Sequence, residues 1–294
     1  MGFRSTLVLL RFPFSLFLLP IWLAALSASR DVDAARALAS FFILHLLLYP
    51  ASNGFNSYYD RDEGPIGGLA HPPPVGKDLL ATSLILDAFA LVAGFILLGP
   101  IFAAGLFFYG AASKLYSWDK SRIKARPVAG WLLIGIGQGG ITFLLVVASI
   151  GRSGMADVGI SALLEAMAAT ALLLGVYPLT QVYQHEEDAR RGDLTISRLV
   201  GIRGSFVLSG IFLGAGILGL GAFVAERGGA IWTLAYLAVQ LPALLYFMAW
   251  FARVLRDPAK ADFRHAMAMN LLASGCLSLF FLIRLAAGGL SIAV

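Results

Sequence analysis

Apolar residues gather into nine long stretches, near 12–29, 34–57, 79–98, 100–117, 127–150, 158–182, 204–225, 230–252 and 267–288. Each approaches the roughly 20 residues a helix needs to cross a hydrocarbon layer. The runs are continuous and do not alternate with a period of two. Helices, which satisfy their own backbone hydrogen bonds in lipid, are therefore the expected spanning element, and barrel strands are not. The pattern predicts an all-α polytopic membrane protein with about nine transmembrane helices, forming one domain over residues 1–294. The first run is longer than the roughly 7–15 apolar residues of a signal peptide and is read as a span.

Composition sharpens this reading. Of 294 residues, 59% are hydrophobic and only 13% are Asp, Glu, Lys or Arg, against roughly a quarter in soluble domains. Cys276, the single cysteine, can form no intrachain disulfide. The basic residues are distributed unequally among the loops. Sixteen fall at the N-terminus and in the even-to-odd loops, including Arg4, Arg11, Arg61, Lys77 and the run "DKSRIKAR". Only Arg30, Arg36, Arg152 and Arg227 fall in the loops opposite, with Arg284 near that end of the last helix. This bias reports orientation and not a nucleic-acid partner, and it places the N-terminus and the even-to-odd loops in the cytoplasm and the C-terminus outside. The expected setting is a bacterial inner membrane.

An internal echo breaks the apolar monotony. Tyr49 to Gly64 reads "YPASNGFNSYYDRDEG" and Tyr177 to Gly192 reads "YPLTQVYQHEEDARRG", at a constant offset of 128 residues. Eight positions are identical or similar, giving Y-P-x-[ST]-[NQ]-x-[FY]-[NQ]-x3-D-x3-G. The copies close the second and sixth helices, so both end on the same membrane face, as parallel repeats around a shared site do. On a helix, Tyr49, Ser52, Asn53, Asn56 and Asp60 share one face, and Tyr177, Thr180, Gln181, Gln184 and Asp188 would do the same. Pro50 and Pro178 each remove a backbone donor and can kink their helix.

Two such faces meeting would form a cage of carboxylate and amide oxygens. That donor set suits Mg²⁺, which usually takes one or two carboxylates and completes its shell with water and phosphate oxygens. The loop "YSWDKSRIKARP" lies on the same face and supplies Tyr116, Lys120, Lys124 and Arg126, while Arg61, Arg190 and Arg191 flank the acidic faces. Carboxylates with metal on one side and cations on the other match the needs of a metal-bound diphosphate. A cation-coupled transporter could also use such residues, since repeats and kinked helices belong to that class too.

At these residues the chain resembles the UbiA superfamily of intramembrane prenyltransferases. "NSYYDRDEG" is similar to the family's first Asp-rich motif, "EEDARRGDLT" to the second, and "YSWDK" to the Y-x3-K element after helix four. The resemblance implies a nine-helix bundle with an internal repeat. It also implies Mg²⁺-dependent transfer of a prenyl group from a polyprenyl diphosphate to an aromatic or other lipophilic acceptor within the membrane. Asp60 and Asp188 would be the catalytic, metal-binding carboxylates, with Asn56 and Gln184 completing the metal set. Asn53, Arg61, Tyr116, Lys120, Lys124, Arg126, Gln181 and Arg191 would bind substrate. The chain departs from the family where Gly64 stands in place of a further Asp, leaving Asp62 and Glu63 nearby, and where Gln184 opens the second motif. Those departures motivate a further alternative, a catalytically silent homologue that binds an isoprenoid lipid.

Other polar residues lie inside the runs. Asp87 and Glu165 are intramembrane carboxylates, read as packing or relay groups. His45 is read as a hydrogen-bonded helix contact. The glycines of "GIGQGG" would permit close helix approach, since no strand-turn-helix context supports a nucleotide loop.

Overall fold

A computed structural model describes residues 3–29, 31–288 and 292–293. Among them, helix α1 covers Phe3–Ala28, α2 Ala34–Asp60 and α3 Asp78–Leu98. Helix α4 covers Pro100–Ser117, α5 Pro127–Ile150 and α6 Ile160–Leu179. A 61-residue helical stretch, Ile196–Arg256, follows and leaves helical geometry at Gly201 and Gly229. Gly229 divides it into α7 (202–228) and α8 (230–256), and α9 covers Phe263–Ala286. Seven helical stretches are long and apolar enough to cross a membrane, the 61-residue one being α7 and α8 together. The 18-residue α4 brings the helices to nine among the described residues. The protein is an all-helical integral membrane protein.

Local chemistry sets the boundaries. Gly99, at φ 96°, is the whole connection between α3 and α4, and Pro100 then opens α4 where a missing N–H costs nothing. Pro127 opens α5 in the same way. Asp33 caps α2 by accepting from the Arg36 amide at 3.0 Å, and Asp262 caps α9 by accepting from the His265 amide at 2.9 Å. Arg36 also donates to Leu98 O at 2.9 Å and Ser149 O at 2.6 Å, satisfying carbonyls at the ends of α3 and α5.

Because lipid is as apolar as leucine, helix association in a membrane depends on close packing. Gly139 sits against α6, where an added Cβ would come within 2.7 Å of Ala169 O and 2.8 Å of Thr170 Cα. Gly175 and Gly216 let α6 and α7 approach similarly. Phe206, Tyr236, Trp250 and Phe280 fill the interior between α7, α8 and α9. Outward faces are apolar as well, with Phe89, Ile96, Ile211, Leu218 and Ile231 all exposed.

The helices depart from the sequence reading in four places. Helix α1 begins at Phe3 and is interrupted at Arg11, whose backbone is left-handed (φ 51°, ψ 47°). Arg11 is therefore not a loop charge. It is buried, donating to Asn53 O at 3.2 Å and Gly67 O at 3.3 Å, where hydrogen bonds replace solvation. The second motif is not one helix, because α6 stops at Leu179 beside Pro178 and the chain turns through Gln184 into a short helix, His185–Arg191. Arg36 and Arg227 lie within helix ends, not in loops, and Arg30 lies outside the described residues. Helix α2 is not regular throughout: a wide turn of π type, Ile43–Leu48, immediately precedes Tyr49 and Pro50.

Candidate active site

The two motif copies line one cavity of about 640 Å³. From α2 come Tyr49, Ser52, Asn53, Asn56 and Asp60, the face expected from their spacing. The second copy contributes Tyr177, Thr180, Gln181, Gln184 and Asp188, although the chain breaks between α6 and the short helix. Across this turn Asp188 still lines the same cavity as Asp60. Tyr116 and Lys124, from the end of α4 and the loop after it, close the same mouth.

The mouth is a network of paired charges. Lys124 Nζ bonds Asp60 and lies 3.4 Å from Asp193. Arg122 holds Asp193 with two bonds, Nε to Oδ1 at 2.7 Å and Nη2 to Oδ2 at 2.8 Å. Asn56 Nδ2 donates to Asp60 Oδ2 at 2.7 Å and to Ser117 Oγ at 2.9 Å, which leaves its carbonyl oxygen as the available ligand. Gln184 is similar, its Nε2 donating to Pro65 O at 3.2 Å. The Thr195 hydroxyl donates to Asp188 Oδ2 at 3.3 Å, and the hydroxyls of Tyr116 and Tyr177 bond each other.

Gly64 has a specific neighbour. Glu187 of the second motif accepts from the amides of Glu63 at 3.0 Å and Gly64 at 3.2 Å. A Cβ on Gly64 would fall 2.7 Å from Glu187 Oε2, so the small residue admits a clasp between the two motifs. Arg191 joins that clasp, pairing with Asp62 at 2.8 Å and Glu187 at 2.9 Å.

Crowding perturbs the carboxyls outside the spans. Burial pushes Asp188 up to about 7, with Asp193 adding to the shift and Lys124 opposing it. Burial and then Asp60 push Asp62 up to about 6, against Arg191 and Lys124. Among the described residues no three acidic, His or Cys side chains converge as a ready metal centre. The donor set is nevertheless one of hard oxygens, and it fits a Mg²⁺ that completes its shell with a ligand's phosphate.

Four expected substrate-binding cations stand outside the cavity wall, one of them Arg191, held in the clasp with Asp62 and Glu187. Arg61 ends α2 in a left-handed conformation (φ 48°, ψ 45°), is exposed, and lies over the Tyr58 ring at 5.8 Å. Lys120 is exposed over the Trp118 ring at 5.3 Å, and Arg126 is exposed where α5 begins. In these last three the loop backbone directs the side chain toward solvent. Three residues at the mouth escaped sequence reasoning. Arg122 sits inside a basic run whose members look alike, and Arg11 looked like an orientation charge. Asp193 had one available signal: it follows Gly192, whose left-handed cap (φ 74°) ends the short helix. The Asp193 amide then returns to Asp188 O at 2.9 Å, fixing the two carboxylates together.

Beyond the mouth the cavity turns apolar. Phe108, Leu132, Ile136, Ile141 and Leu173 line it, and Phe108, Ile136 and Ile141 remain exposed, so it opens sideways between α4 and α5. Asp87 and Glu165 do not line it. Asp87 pairs with Lys114, and Glu165 pairs with Arg227, whose Nη1 reaches Glu165 Oε2 at 3.0 Å. His45 packs against Phe41 and Tyr49, with ring centroids 4.7 and 5.1 Å away, and neither ring nitrogen makes a hydrogen bond of normal geometry. It is an aromatic contact, not the hydrogen-bonded one expected.

A family model, the UbiA prenyltransferase family, matches residues 17–287. The chain belongs to this family. Its fold is similar to that of a UbiA homolog from Archaeoglobus fulgidus solved bound to DMAPP and Mg²⁺, with TM-score 0.68 and 17% identity over 96% of this chain and 99% of that one. The same homolog bound to GPP and Mg²⁺ gives TM-score 0.66 and 16% identity over the same shares of the two chains, 96% and 99%. A digeranylgeranylglyceryl phosphate synthase gives TM-score 0.60 and 17% identity over 95% of this chain and 97% of that one. A comparison with curated proteins found no match. The UbiA-like arrangement is thus shared at low identity.

Proposed function

We propose that this UbiA family member transfers a prenyl group from a polyprenyl diphosphate to an aromatic or other lipophilic acceptor inside the membrane. One observation carries the reading. The cavity joins a mouth of opposed carboxylates and a lysine to an apolar chamber open to lipid. A diphosphate with an isoprenoid tail needs both environments at once. Relatives of the same fold were solved with such diphosphates and Mg²⁺.

Asp60 and Asp188 would hold Mg²⁺, with the carbonyl oxygens of Asn56 and Gln184 assisting. When bound, the metal supplies positive charge to the diphosphate oxygens and makes them a better leaving group. Lys124 exchanges its bond to Asp60 for the diphosphate and offers a second cation, while Tyr116 donates to its oxygens. Asn53, Gln181 and Arg191 orient the groups around them. The C1–O bond of the donor breaks with its electron pair going to pyrophosphate. The acceptor's electron pair then forms the bond to C1, and the displaced proton leaves with pyrophosphate. Tyr116 and Tyr177 line the cavity beside the carboxylates, where their rings would stabilise the allylic cation. The basic loops place this mouth on the cytoplasmic side of the membrane.

Lipid extracts from cells with and without the protein, compared by mass spectrometry, should contain a species carrying an added prenyl mass. Purified protein in lipid should release pyrophosphate from geranyl diphosphate plus acceptor only with Mg²⁺. Asp60→Asn or Asp188→Asn should each lower that rate by about 100-fold or more, the usual loss of a group stabilising transition-state charge. Turnover that survives both changes refutes the assignment. The silent isoprenoid-binding reading is motivated by Gln184 and Gly64 standing where the family's motifs carry Asp, and it predicts diphosphate binding without pyrophosphate release.

A further inference from the structure

The cavity has a second polar region, at its membrane-core end, which the diphosphate reading leaves unused. Tyr49 and Ser52 of α2, Tyr109 of α4 and Gln138 of α5 all line the cavity there. Tyr109 lies seven residues before Tyr116, and Tyr49 seven before Asn56, so this region is about 10 Å deeper along both helices.

Its hydrogen bonds are incomplete. Gln138 Nε2 donates to Tyr109 Oη at 3.1 Å, which leaves the Tyr109 proton and the Gln138 carbonyl free to bond elsewhere. The Tyr49 side chain is only 3% exposed and its hydroxyl has no partner, nor has the buried Ser52 hydroxyl. Thr142 stands beside Tyr49, but it donates to Gly137 O at 2.8 Å and makes no hydrogen bond of normal geometry with the phenol. A buried hydroxyl with no partner loses its hydration without return, so such groups call for an explanation.

The backbone singles out the same place. Tyr49 directly follows the wide turn Ile43–Leu48, and Gln138 lies within a second wide turn, Gly135–Ile141. Turns of this π type are uncommon and recur at functional sites, because they redirect a side chain out of helical register. Of the cavity's cations, Lys124 is engaged by Asp60 and Asp193, and Arg11 donates from both terminal nitrogens to Gly67 O and Asn53 O while its Nε has no partner. The groups at the membrane-core end itself are two phenolic donors, a small hydroxyl and an amide carbonyl, all uncharged.

Building on the prenyl-transfer reading, we infer that Tyr49, Tyr109 and Gln138 form a hydrogen-bonding subsite for a neutral oxygen of the acceptor, a carbonyl or hydroxyl remote from its reacting atom. The subsite selects uncharged, lipophilic acceptors over carboxylates. Two phenols converge on one carbonyl oxygen, or a hydroxyl accepts from a phenol and donates to Gln138.

Benzophenone tests this directly, since it is neutral, carries one carbonyl and cross-links to nearby C–H bonds under near-ultraviolet light. With the purified full chain in lipid, labelling should saturate and map by peptide mass spectrometry to the segments around Tyr49, Tyr109 or Gln138. Its carboxylate, 4-benzoylbenzoate, should label more weakly, and diphenylmethane, which lacks the carbonyl, should compete poorly. Tyr49→Phe and Tyr109→Phe should each raise the half-saturating concentration by about two- to twelvefold, the value of one hydrogen bond. Labelling elsewhere, equal labelling by the carboxylate, or wild-type saturation in both Phe variants would overturn the subsite. Binding of geranyl diphosphate with Mg²⁺, measured on the same preparations, shows that the variants are folded and tests the donor site separately. Loss of that binding in the wild type, with benzophenone labelling intact, would remove prenyl transfer and leave a site for a neutral lipophile.

Discussion

Replacing Asp193 with Asn should destabilise the protein more than its place in a loop would suggest. The Asp193 side chain is 2% exposed and accepts two short bonds from Arg122, whose own side chain is 24% exposed. Lys124 Nζ lies 3.4 Å from Asp193 Oδ2, which also accepts from Arg122. Asn keeps the volume but removes the charge, leaving a guanidinium and an ammonium facing each other across a buried amide. Breaking a buried pair by removing one partner costs about 3–5 kcal/mol. Partial exposure of Arg122 screens some of that, so about 2–3 kcal/mol is expected. At roughly 2–4 °C per kcal/mol for a large chain, the apparent unfolding temperature should fall by about 4–12 °C. Tryptophan fluorescence of the purified protein, heated at one fixed rate, measures this, because such unfolding is commonly irreversible. Arg122→Met combined with Asp193→Asn should cost less than the sum of the single changes. Strict additivity, or a single-variant shift within about 1 °C, would show that the pair is a geometric coincidence without energetic coupling.

Metal affinity should depend on pH through Asp188. With its carboxyl raised to about 7, a proton competes with Mg²⁺ below that pH, so affinity should rise about tenfold from pH 6 to pH 8 in isothermal titration; a flat or falling profile refutes this. The sign for stability is opposite. Between the ordinary Asp value and about 7 the folded metal-free protein binds the extra proton, so that contribution is lost as pH rises toward 7. Gly139→Ala should lower the apparent unfolding temperature by about 2–12 °C through overpacking against α6. Gly137→Ala, with nothing within 4 Å of its Cβ, should leave that temperature unchanged or raise it. Glu165→Gln should weaken the pairing with Arg227 and lower thermal stability without altering geranyl diphosphate binding, because Glu165 lies outside the cavity lining; reduced donor binding would instead mark it as a relay.

The sequence by itself determined the helical architecture, because only helices and closed barrels satisfy a backbone in lipid and the nine apolar runs lack the alternation of barrel strands. It also determined that two polar helix ends share one membrane face, since a 128-residue echo separates helices of equal direction. Spacings of three and four were enough to put Tyr49, Asn53, Asn56 and Asp60 on one wall, for α2 is continuous there. They named the residues of the second wall as well, but not its backbone, because α6 stops beside Pro178 and the chain turns through Gln184 into a short helix.

Tertiary structure alone decided which charges belong to the mouth. Arg61, Lys120, Arg122, Lys124 and Arg126 are equivalent in a positive-inside count, yet Lys124 reaches Asp60, Arg122 reaches Asp193, and the others face solvent. Gly64 looked like a missing ligand until Glu187 was found filling the space beside it. Tyr109 and Gln138 lie in different helices, and only packing brings them together beside Tyr49. Periodicity fixes the face on which a side chain lies, because that depends on the local helix alone. What the side chain meets depends on where loops and other helices return, and those contacts join residues from 29 to 123 positions apart.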